Sequence, residues 1–133
     1  MAYWLVKTEP TKWSWDDQVK AKRTHWNGVR NAQALGNMRG MKKGDLVFFY
    51  HSVEGKEIVG ITKVAREFYP DPDDEKSGLV DLEAVKPLRT PVTLAALKAD
   101  ERLKDLALIR QSRLSVMPIE ETAWSIISGM GGV

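Results

Sequence analysis

The sequence predicts an α+β fold, in which a mixed and strongly curved β-sheet carries helices at its ends. Three observations lead to this class. Apolar runs rich in β-branched and aromatic residues recur along the chain, and helix-start signals stand between them. The chain has 133 residues, of which 43% are hydrophobic, so it has the size and apolar content of one compact domain. We therefore expect a single domain over residues 1–133, without repeats or a dividing linker.

The first elements are a strand and two helices. Tyr3–Lys7 is a β-rich run that ends at a proline turn. Ser14 is a suitable N-cap for a helix through about Lys22, because acidic residues follow it in the first turn. A second helix is expected from Asn31 to about Arg39.

A β-meander is predicted next. Lys42–Asp45 forms a turn, Leu46–His51 a strongly apolar strand, and Glu54–Lys56 a hairpin turn. Ile58–Phe68 is the returning strand, and Leu79–Leu88 alternates enough to form a third long strand.

The remaining segments are shorter. Tyr69–Asp74 is expected to be an acidic loop, because two prolines in three residues argue against a strand or helix. Thr93 is placed to cap a helix that ends near residue 99. Arg113–Met117 is predicted as a strand, with Pro118 in the first turn of a last helix that ends at Gly129.

Charge is distributed unevenly, although the net charge is only +2. Residues 1–50 hold nine Lys and Arg against four Asp and Glu, together with four of the five tryptophans. A basic and aromatic segment fits a nucleic-acid ligand. On composition alone, a solvated face over a tryptophan-rich core is the more economical explanation.

Several kinds of chemistry are excluded or unsupported. The chain has no cysteine, which excludes disulfides and thiolate zinc sites. Its two histidines lack metal-ligand spacing, and there is neither a P-loop nor a Gly-x-Ser-x-Gly motif. We therefore predict no metal, no cofactor and no catalytic nucleophile. The chain begins without a basic n-region or a long apolar run, which predicts no secretory signal or membrane span and favours a cytoplasmic protein.

Two distant stretches have the composition of one cavity. Residues 24–31 put the Trp26 ring beside a cation and two amides, and residues 110–118 interleave two arginines with two serines. An unstacked base is held by such a stacking surface, amide hydrogen bonds and phosphate-seeking cations. The polar neighbours of Trp26 favour a partly exposed ring; the alternative is a core anchor.

Further candidates lie at strand ends and helix starts. Lys7 and Thr8 end a buried strand with polar groups. Along residues 48–52, apolar side chains typical of a core give way to polar ones. His51 either reaches the cavity or is a structural histidine, and Asn31 either caps its helix or binds a base edge. The candidate phosphate contacts, each alternatively an ordinary surface charge, are Arg30, Arg39, Lys42, Lys43, Arg110 and Arg113.

A resemblance to a known family rests on seven segments that occur in one order. They are residues 3–10 (YWLVKTEP), 13–17 (WSWDD), 26–31 (WNGVRN), 48–52 (FFYHS), 58–61 (IVGI), 69–72 (YPDP) and 110–118 (RQSRLSVMP). Together they resemble the EVE domain of the thymocyte nuclear protein family and its bacterial relatives, from about residue 2 to residue 132. Thr8 departs from the usual serine but keeps the hydroxyl, and Gly36 replaces a better helix former.

This resemblance implies a PUA-like fold, a mixed β pseudo-barrel of five to six strands with surrounding helices, similar to YTH and ASCH domains. EVE domains are regarded as readers of modified bases, chiefly modified cytosines in DNA, and YTH domains hold N6-methyladenine of RNA in an aromatic cage. By similarity, Trp26 takes the place of a cage tryptophan, and Lys7 and Thr8 resemble a Lys-Ser pair of the YTH cavity. The expected pocket residues are Lys7, Thr8, Trp26, Asn27, Asn31, Tyr50, His51, Ser52, Ser115, Met117 and Pro118.

The leading hypothesis is a non-enzymatic module that recognises a modified nucleobase in DNA or RNA. One alternative is an ASCH-like amidohydrolase acting on modified nucleosides, with Lys7, Thr8, Glu9 and His51 as its polar groups. Another is a general RNA-binding or interaction module. Because no nuclease is fused to the chain, a downstream effect requires a separate nuclease or processing partner, and DNA as ligand implies association with the nucleoid.

Overall fold

The computed structural model describes all of residues 1–133 and contains six strands, five α-helices and one 3-10 turn. In chain order they are β1 (Tyr3–Thr8), α1 (Trp15–Ala21), β2 (Arg23–Trp26), α2 (Ala32–Gly40), β3 (Leu46–His51), β4 (Glu57–Asp71), β5 (Asp74–Thr93), α3 (Leu94–Ala99), the 3-10 turn (Glu101–Leu103), α4 (Ala107–Arg110), β6 (Val116–Ile119) and α5 (Glu121–Met130). The α+β class is confirmed. The longest helix, α5, has 10 residues, about half of what a membrane-spanning helix needs.

The six strands form one mixed sheet in the order β2-β5-β4-β3-β1-β6. Strands β1 and β3 are parallel, and every other pair is antiparallel. The sheet does not close into a barrel, because β2 and β6 remain edge strands with one partner each. Helix α2 packs against the edge strand β6 and also against β4 and β5 on the other side of the sheet. The two sides of the sheet are therefore linked by a helix and not by strand pairing.

The core is a cluster of 31 buried residues that surrounds β1 and β3. Trp124 of α5 stacks on Phe48 with ring centroids 3.7 Å apart and on Tyr3 at 4.6 Å. Burial of such large aromatic side chains is a dominant contribution to stability. The two central strands are therefore fixed by packing, and so are the polar residues at their ends.

The predicted caps Ser14 and Thr93 are confirmed, and Asn31 takes the capping role of its two alternatives. The Ser14 hydroxyl accepts a hydrogen bond from the Asp17 amide (3.1 Å), and the Asp17 carboxylate accepts one from the Ser14 amide (2.9 Å). The Asn31 side chain accepts from the third residue of α2 at 3.0 Å, and Thr93 does the same for α3 at 3.1 Å. These side chains satisfy amides that have no partner within the helix.

Two proline-based expectations are wrong. The segment Tyr69–Asp74 is not a loop, because β4 continues to Asp71 and Pro70 lies opposite Gly78 of β5. Strand β3 pairs with β4 only as far as Lys63, so the end of β4 has a free edge where the missing proline N–H is tolerated. Pro118 lies in the edge strand β6 opposite Trp4, and α5 begins after it.

Other boundaries also differ from the prediction. The expected strand Arg113–Met117 begins only at Val116, because Leu114 N–H bonds back to Gln111 in a turn. Strand β2 and helix α4 were not anticipated. Both are only 4 residues long, too short for a periodic pattern to show.

Candidate functional site

The polar residues at the ends of β1 and β3 lie at one edge of the sheet, because the two strands are parallel. The Ser52 amide donates a hydrogen bond to the Thr8 carbonyl (2.8 Å), which extends the pairing by one residue. On the other side, the Lys7 amide donates to the Ser115 carbonyl (2.9 Å). Main-chain bonds thus bring residues 7–8, 52 and 115 together from three separate segments.

The loop after β1 adds a tryptophan at the same edge. The Thr8 hydroxyl donates to the Trp13 carbonyl (2.9 Å), and the Trp13 indole N–H donates to the side-chain oxygen of Gln18 (2.9 Å). Gln18 is fully buried and donates in turn to the Leu82 carbonyl of β5 (3.2 Å). The half-buried Trp13 ring is therefore held in one orientation by a buried amide.

A cavity of about 610 Å³ opens beside these groups, which is within the usual size range of small-molecule sites. Its lining comes from the end of β1, the loop that follows, strand β2 with its following turn, and the segment before β6. The lining residues are Lys7, Thr8, Lys12, Trp13, Thr24, His25, Trp26, Asn27, Gly28, Val29 and Ser115.

Trp26 is more buried than the sequence indicates. The expectation of a partly exposed ring is wrong: the residue is only 7% exposed, and its ring meets Phe49 edge-on at 5.7 Å. The reason is strand alternation, since Trp26 faces the core at the end of β2 while His25 faces outward. Trp26 nevertheless contributes to the cavity wall together with Trp13.

The indole N–H of Trp26 remains available. It has no hydrogen-bond acceptor within the protein, as is also the case for Trp15 and Trp124, whereas the indole N–H groups of Trp4 and Trp13 donate to Asp45 and Gln18. No side-chain nitrogen or oxygen in the chain is both buried and unpartnered. The Trp26 N–H is therefore not fully buried, and we expect its exposed part to lie in the cavity that Trp26 lines.

Further polar groups in the cavity are free to bind a ligand. The side chains of Thr24, Asn27 and Ser115 line it and make no hydrogen bond within the protein. Gly28, which follows Asn27 and also lines the cavity, has a φ of +76°, a conformation that favours glycine.

The lining of the cavity includes two lysines, Lys7 and Lys12, and no carboxylate, although Lys12 is ion-paired with Glu9 beside the cavity (3.4 Å). The Lys7 ammonium donates to the Ser112 carbonyl (2.7 Å). Burial lowers the pKa of Lys7 below its usual value, because desolvation disfavours the charged form.

The structure brings together five of the predicted pocket residues: Lys7, Thr8, Trp26, Asn27 and Ser115. Tyr50 and Ser52 line a second, adjoining hollow of about 760 Å³, which shares Lys7, Thr8, Lys12 and Ser115 with the first.

Four predicted pocket residues lie outside both hollows. Asn31 caps α2, as its structural alternative predicted. His51 accepts a hydrogen bond at Nε2 from the Trp15 amide (3.0 Å) and so stabilises the start of α1. Met117 is fully buried in the core, and Pro118 is exposed on the outer strand β6.

The predicted phosphate contacts are dispersed over the surface. Arg30 is paired with Asp74 at 3.0 Å, and Arg39 lies 5.0 Å above the Phe68 ring. Lys42 and Lys43 precede β3, whereas the cavity lies beyond its other end, about 20 Å away for a strand of 6 residues.

The two arginines of the last segment differ from each other. Arg110 is engaged by the Lys104 carbonyl (3.0 Å) and the Asp105 carboxylate (3.2 Å). Arg113 makes no such contact and lines the second hollow.

Trp13 is the functional candidate that sequence reasoning missed. Its signal was available, because it follows a proline turn and lies between Lys12 and Ser14, the same polar setting that singled out Trp26. What the sequence does not indicate is Gln18, which faces inward from α1 and fixes the ring.

The hydroxyl–histidine arrangement considered for an enzyme is not formed. Thr8 donates its hydroxyl proton to the Trp13 carbonyl, and His51 is engaged by Trp15. Glu9 forms an ion pair with Lys12 at 3.4 Å. No group of three or more His, Asp or Glu side chains is placed to hold a metal ion.

Comparisons with known proteins agree with this architecture. The model of the EVE domain matches residues 2–130. Thymocyte nuclear protein 1 of Rattus norvegicus is 33% identical, over 94% of this chain and 71% of that protein. A solved structure from Rhodopseudomonas palustris is 55% identical with a TM-score of 0.94, covering 99% of this chain and 94% of that one.

Two further structures contain nucleic acid. Human THYN1 in complex with 5-methylcytosine-containing DNA is 29% identical with a TM-score of 0.91, covering 100% of this chain and 99% of that one. The YTH domain of Zygosaccharomyces rouxii MRB1, in complex with N6-methyladenosine RNA, is 13% identical with a TM-score of 0.61, over 98% of this chain and 86% of that one. This last similarity concerns the fold alone.

Proposed function

This chain belongs to the EVE domain family, and on that basis we propose that it binds a modified base, a modified cytosine of DNA, in the cavity lined by Trp13 and Trp26. It acts as a binding module and catalyses no reaction on the base. The observation that carries the proposal is the composition of this cavity, which combines two indoles, free hydrogen-bonding groups and two lysines without a carboxylate.

The two indoles supply the apolar surface. A base that leaves its stack loses a few kcal/mol, and an aromatic side chain recovers about 1–3 kcal/mol by stacking on it. The Trp13 ring is fixed in advance by Gln18, so that binding does not have to order it.

The free polar groups allow the cavity to distinguish one base from another. Cytosine offers a ring nitrogen and a carbonyl oxygen as acceptors and an amino group as donor. The Trp26 N–H, the Asn27 amide and the Ser115 hydroxyl are available for these atoms. A base that leaves one of them unpaired loses about 1–3 kcal/mol.

The preference for a modified base comes from a free-energy contribution that is smaller than those of stacking and hydrogen bonding. Burial of one methyl group contributes about 1 kcal/mol, which gives a selectivity of tenfold or less. The choice of DNA and cytosine is supported by human THYN1, which is bound to 5-methylcytosine-containing DNA and superposes with a TM-score of 0.91.

The test is a fluorescence titration of matched oligonucleotides that differ in a single 5-methylcytosine. The wild type is expected to prefer the methylated strand, and Trp13→Ala and Ser115→Ala to bind it several-fold more weakly, in line with the stacking and hydrogen-bond terms above. Ser125→Ala is the matched control, because Ser125 is exposed and lines a different hollow beside Trp124. Equal wild-type affinity for both strands contradicts the proposal, as does hydrolysis of modified nucleosides that Lys7→Ala abolishes.

A further inference from the structure

The second hollow adjoins the first and shares a wall with it, formed by Lys7, Thr8, Lys12 and Ser115. We propose that this second hollow binds the sugar–phosphate backbone next to the everted base, with Lys56 and Arg113 as the phosphate contacts. This inference rests on the proposed function of the first cavity. It assigns the backbone path to residues that are far apart in the sequence.

The charge of the second hollow fits an anionic ligand. It is lined by four cations, Lys7, Lys12, Lys56 and Arg113, and by one carboxylate, Glu9. That carboxylate is already paired with Lys12. The net positive lining therefore has no internal partner sufficient to neutralise it.

Lys56 and Arg113 are the two free cations of the hollow. Both side chains are exposed, and neither makes a salt bridge or a side-chain hydrogen bond. The other two cations of the hollow are engaged, because Lys12 is paired with Glu9 and Lys7 donates to the Ser112 carbonyl. An unpaired lysine and arginine on one concave wall are available to a phosphate without first breaking an ion pair.

The loop that carries Lys56 is strained and held in place. Val53 has a φ of 68° and is the centre of a tight turn in which the Glu54 amide donates to the Ser52 carbonyl (2.7 Å). Such a turn is rare, and a β-branched residue with positive φ is unusual. Lys56 itself has a φ of 45°, and its carbonyl accepts a hydrogen bond from the Leu94 amide (2.8 Å). Backbone strain of this kind collects at ligand clamps.

The position of the hollow favours a polymer over a free phosphorylated ligand. A base in the first cavity is connected to its flanking phosphates through one sugar, and the shared wall at Ser115 and Lys7 is where that sugar passes. The Val53 side chain, 65% exposed at the rim, offers an aliphatic surface for the sugar. The hydroxyls of Ser52 and Ser112 add donors for the phosphate oxygens.

The experiment measures the affinity for 5-methylcytosine and plain oligonucleotides over a series of salt concentrations. The variants are Lys56→Ala, Arg113→Ala, their combination and the control Lys86→Ala, which removes an exposed lysine beside a different hollow. Each of the two single substitutions is expected to lower the slope of log affinity against log salt by about one. The loss should be equal for both strands, and the free nucleoside 5-methyl-2′-deoxycytidine should bind the double variant as it binds the wild type.

A second measurement locates the phosphate. A neutral methylphosphonate is placed at each linkage beside the modified base, and one placement should weaken the wild type but not the double variant. An unchanged salt slope in the double variant overturns the inference. Loss of nucleoside binding in the double variant also overturns it, because the two cations would then act in the base cavity. If the wild type shows no preference for the methylated strand, the proposed function is wrong. The salt slope still decides the role of Lys56 and Arg113 in that case, so the two failures can be told apart.

Discussion

His51 accepts a hydrogen bond at Nε2 from the backbone amide of Trp15, over 3.0 Å. A protonated imidazole cannot accept this bond, and a positive charge is unfavourable at a helix start. The loop that carries Trp13 leads directly into α1. The orientation of the cavity wall therefore depends on a neutral histidine that lies outside the cavity.

This contact makes stability depend on pH. Burial lowers the pKa of His51 below its ordinary value of about 6.5, against the opposing charges of Glu57 and Asp16. The stabilisation of the folded state by the neutral His51 side chain is therefore fully present above pH 6.5. As the pH falls further, the unfolded chain binds a proton first, and stability is lost down through the folded-state pKa.

We expect the melting temperature to fall more between pH 7 and pH 5 in the wild type than in His51→Gln. Glutamine also offers an acceptor to Trp15 but does not titrate. His25→Gln removes an exposed histidine of β2 and is the matched control. If His51→Gln and the wild type lose stability in parallel, His51 does not couple α1 to pH.

Two glycines should respond to alanine in opposite directions. A Cβ at Gly60 of β4 would lie 2.5 Å from the Trp15 ring, which is itself packed against Phe49 at 5.2 Å. Gly60→Ala should therefore destabilise the protein by about 1–3 kcal/mol or more. A Cβ at Gly36 in α2 meets open space, so Gly36→Ala should stabilise by about 0.5–1 kcal/mol through helix propensity. Urea unfolding measures both, and a Gly60→Ala protein as stable as the wild type would contradict the packing described for Trp15.

The Trp26 N–H can be tested separately from its packing. Trp26→Phe keeps an aromatic ring against Phe49 but removes the donor that reaches the cavity. Loss of one hydrogen bond of about 0.5–1.5 kcal/mol should weaken binding of a 5-methylcytosine oligonucleotide roughly two- to tenfold. Trp15→Phe is the matched control, because Trp15 also packs on Phe49 but does not line the cavity. Equal weakening by both substitutions would mean that the effect is structural.

The parts of the fold that local chemistry determines were predictable. Ser14, Asn31 and Thr93 each cap a helix where their side chains satisfy nearby amides, and Leu46–His51 is a strand at the predicted residues. The errors arose where tertiary context decides. Pro70 and Pro118 are tolerated in strands only because those positions lie on free edges, which depends on strand order.

The site was predictable in part for the same reason. Lys7 and Thr8 line the cavity because they end β1, a property that the sequence indicates. Asn27 and Ser115 also line it, but they were expected there from the composition of residues 24–31 and 110–118 and from the family resemblance, because the strand boundaries beside them were not predicted. The burial of Trp26 and the positions of Lys12 and Lys56 depend on how β2 and the β3–β4 loop meet β1. Sequence patterns do not specify such long-range contacts.

The most direct test is an NMR titration that follows the five indole N–H signals as a 5-methylcytosine oligonucleotide is added. Trp13 and Trp26 line the cavity, whereas Trp4 donates to Asp45 (3.0 Å) and Trp124 of α5 is buried against Phe48. We expect the Trp13 and Trp26 signals to shift while those of Trp4 and Trp124 stay in place, and we expect the shifts at equal concentration to be larger than with the unmethylated strand. Saturable binding that leaves the Trp13 and Trp26 signals unmoved would contradict this expectation.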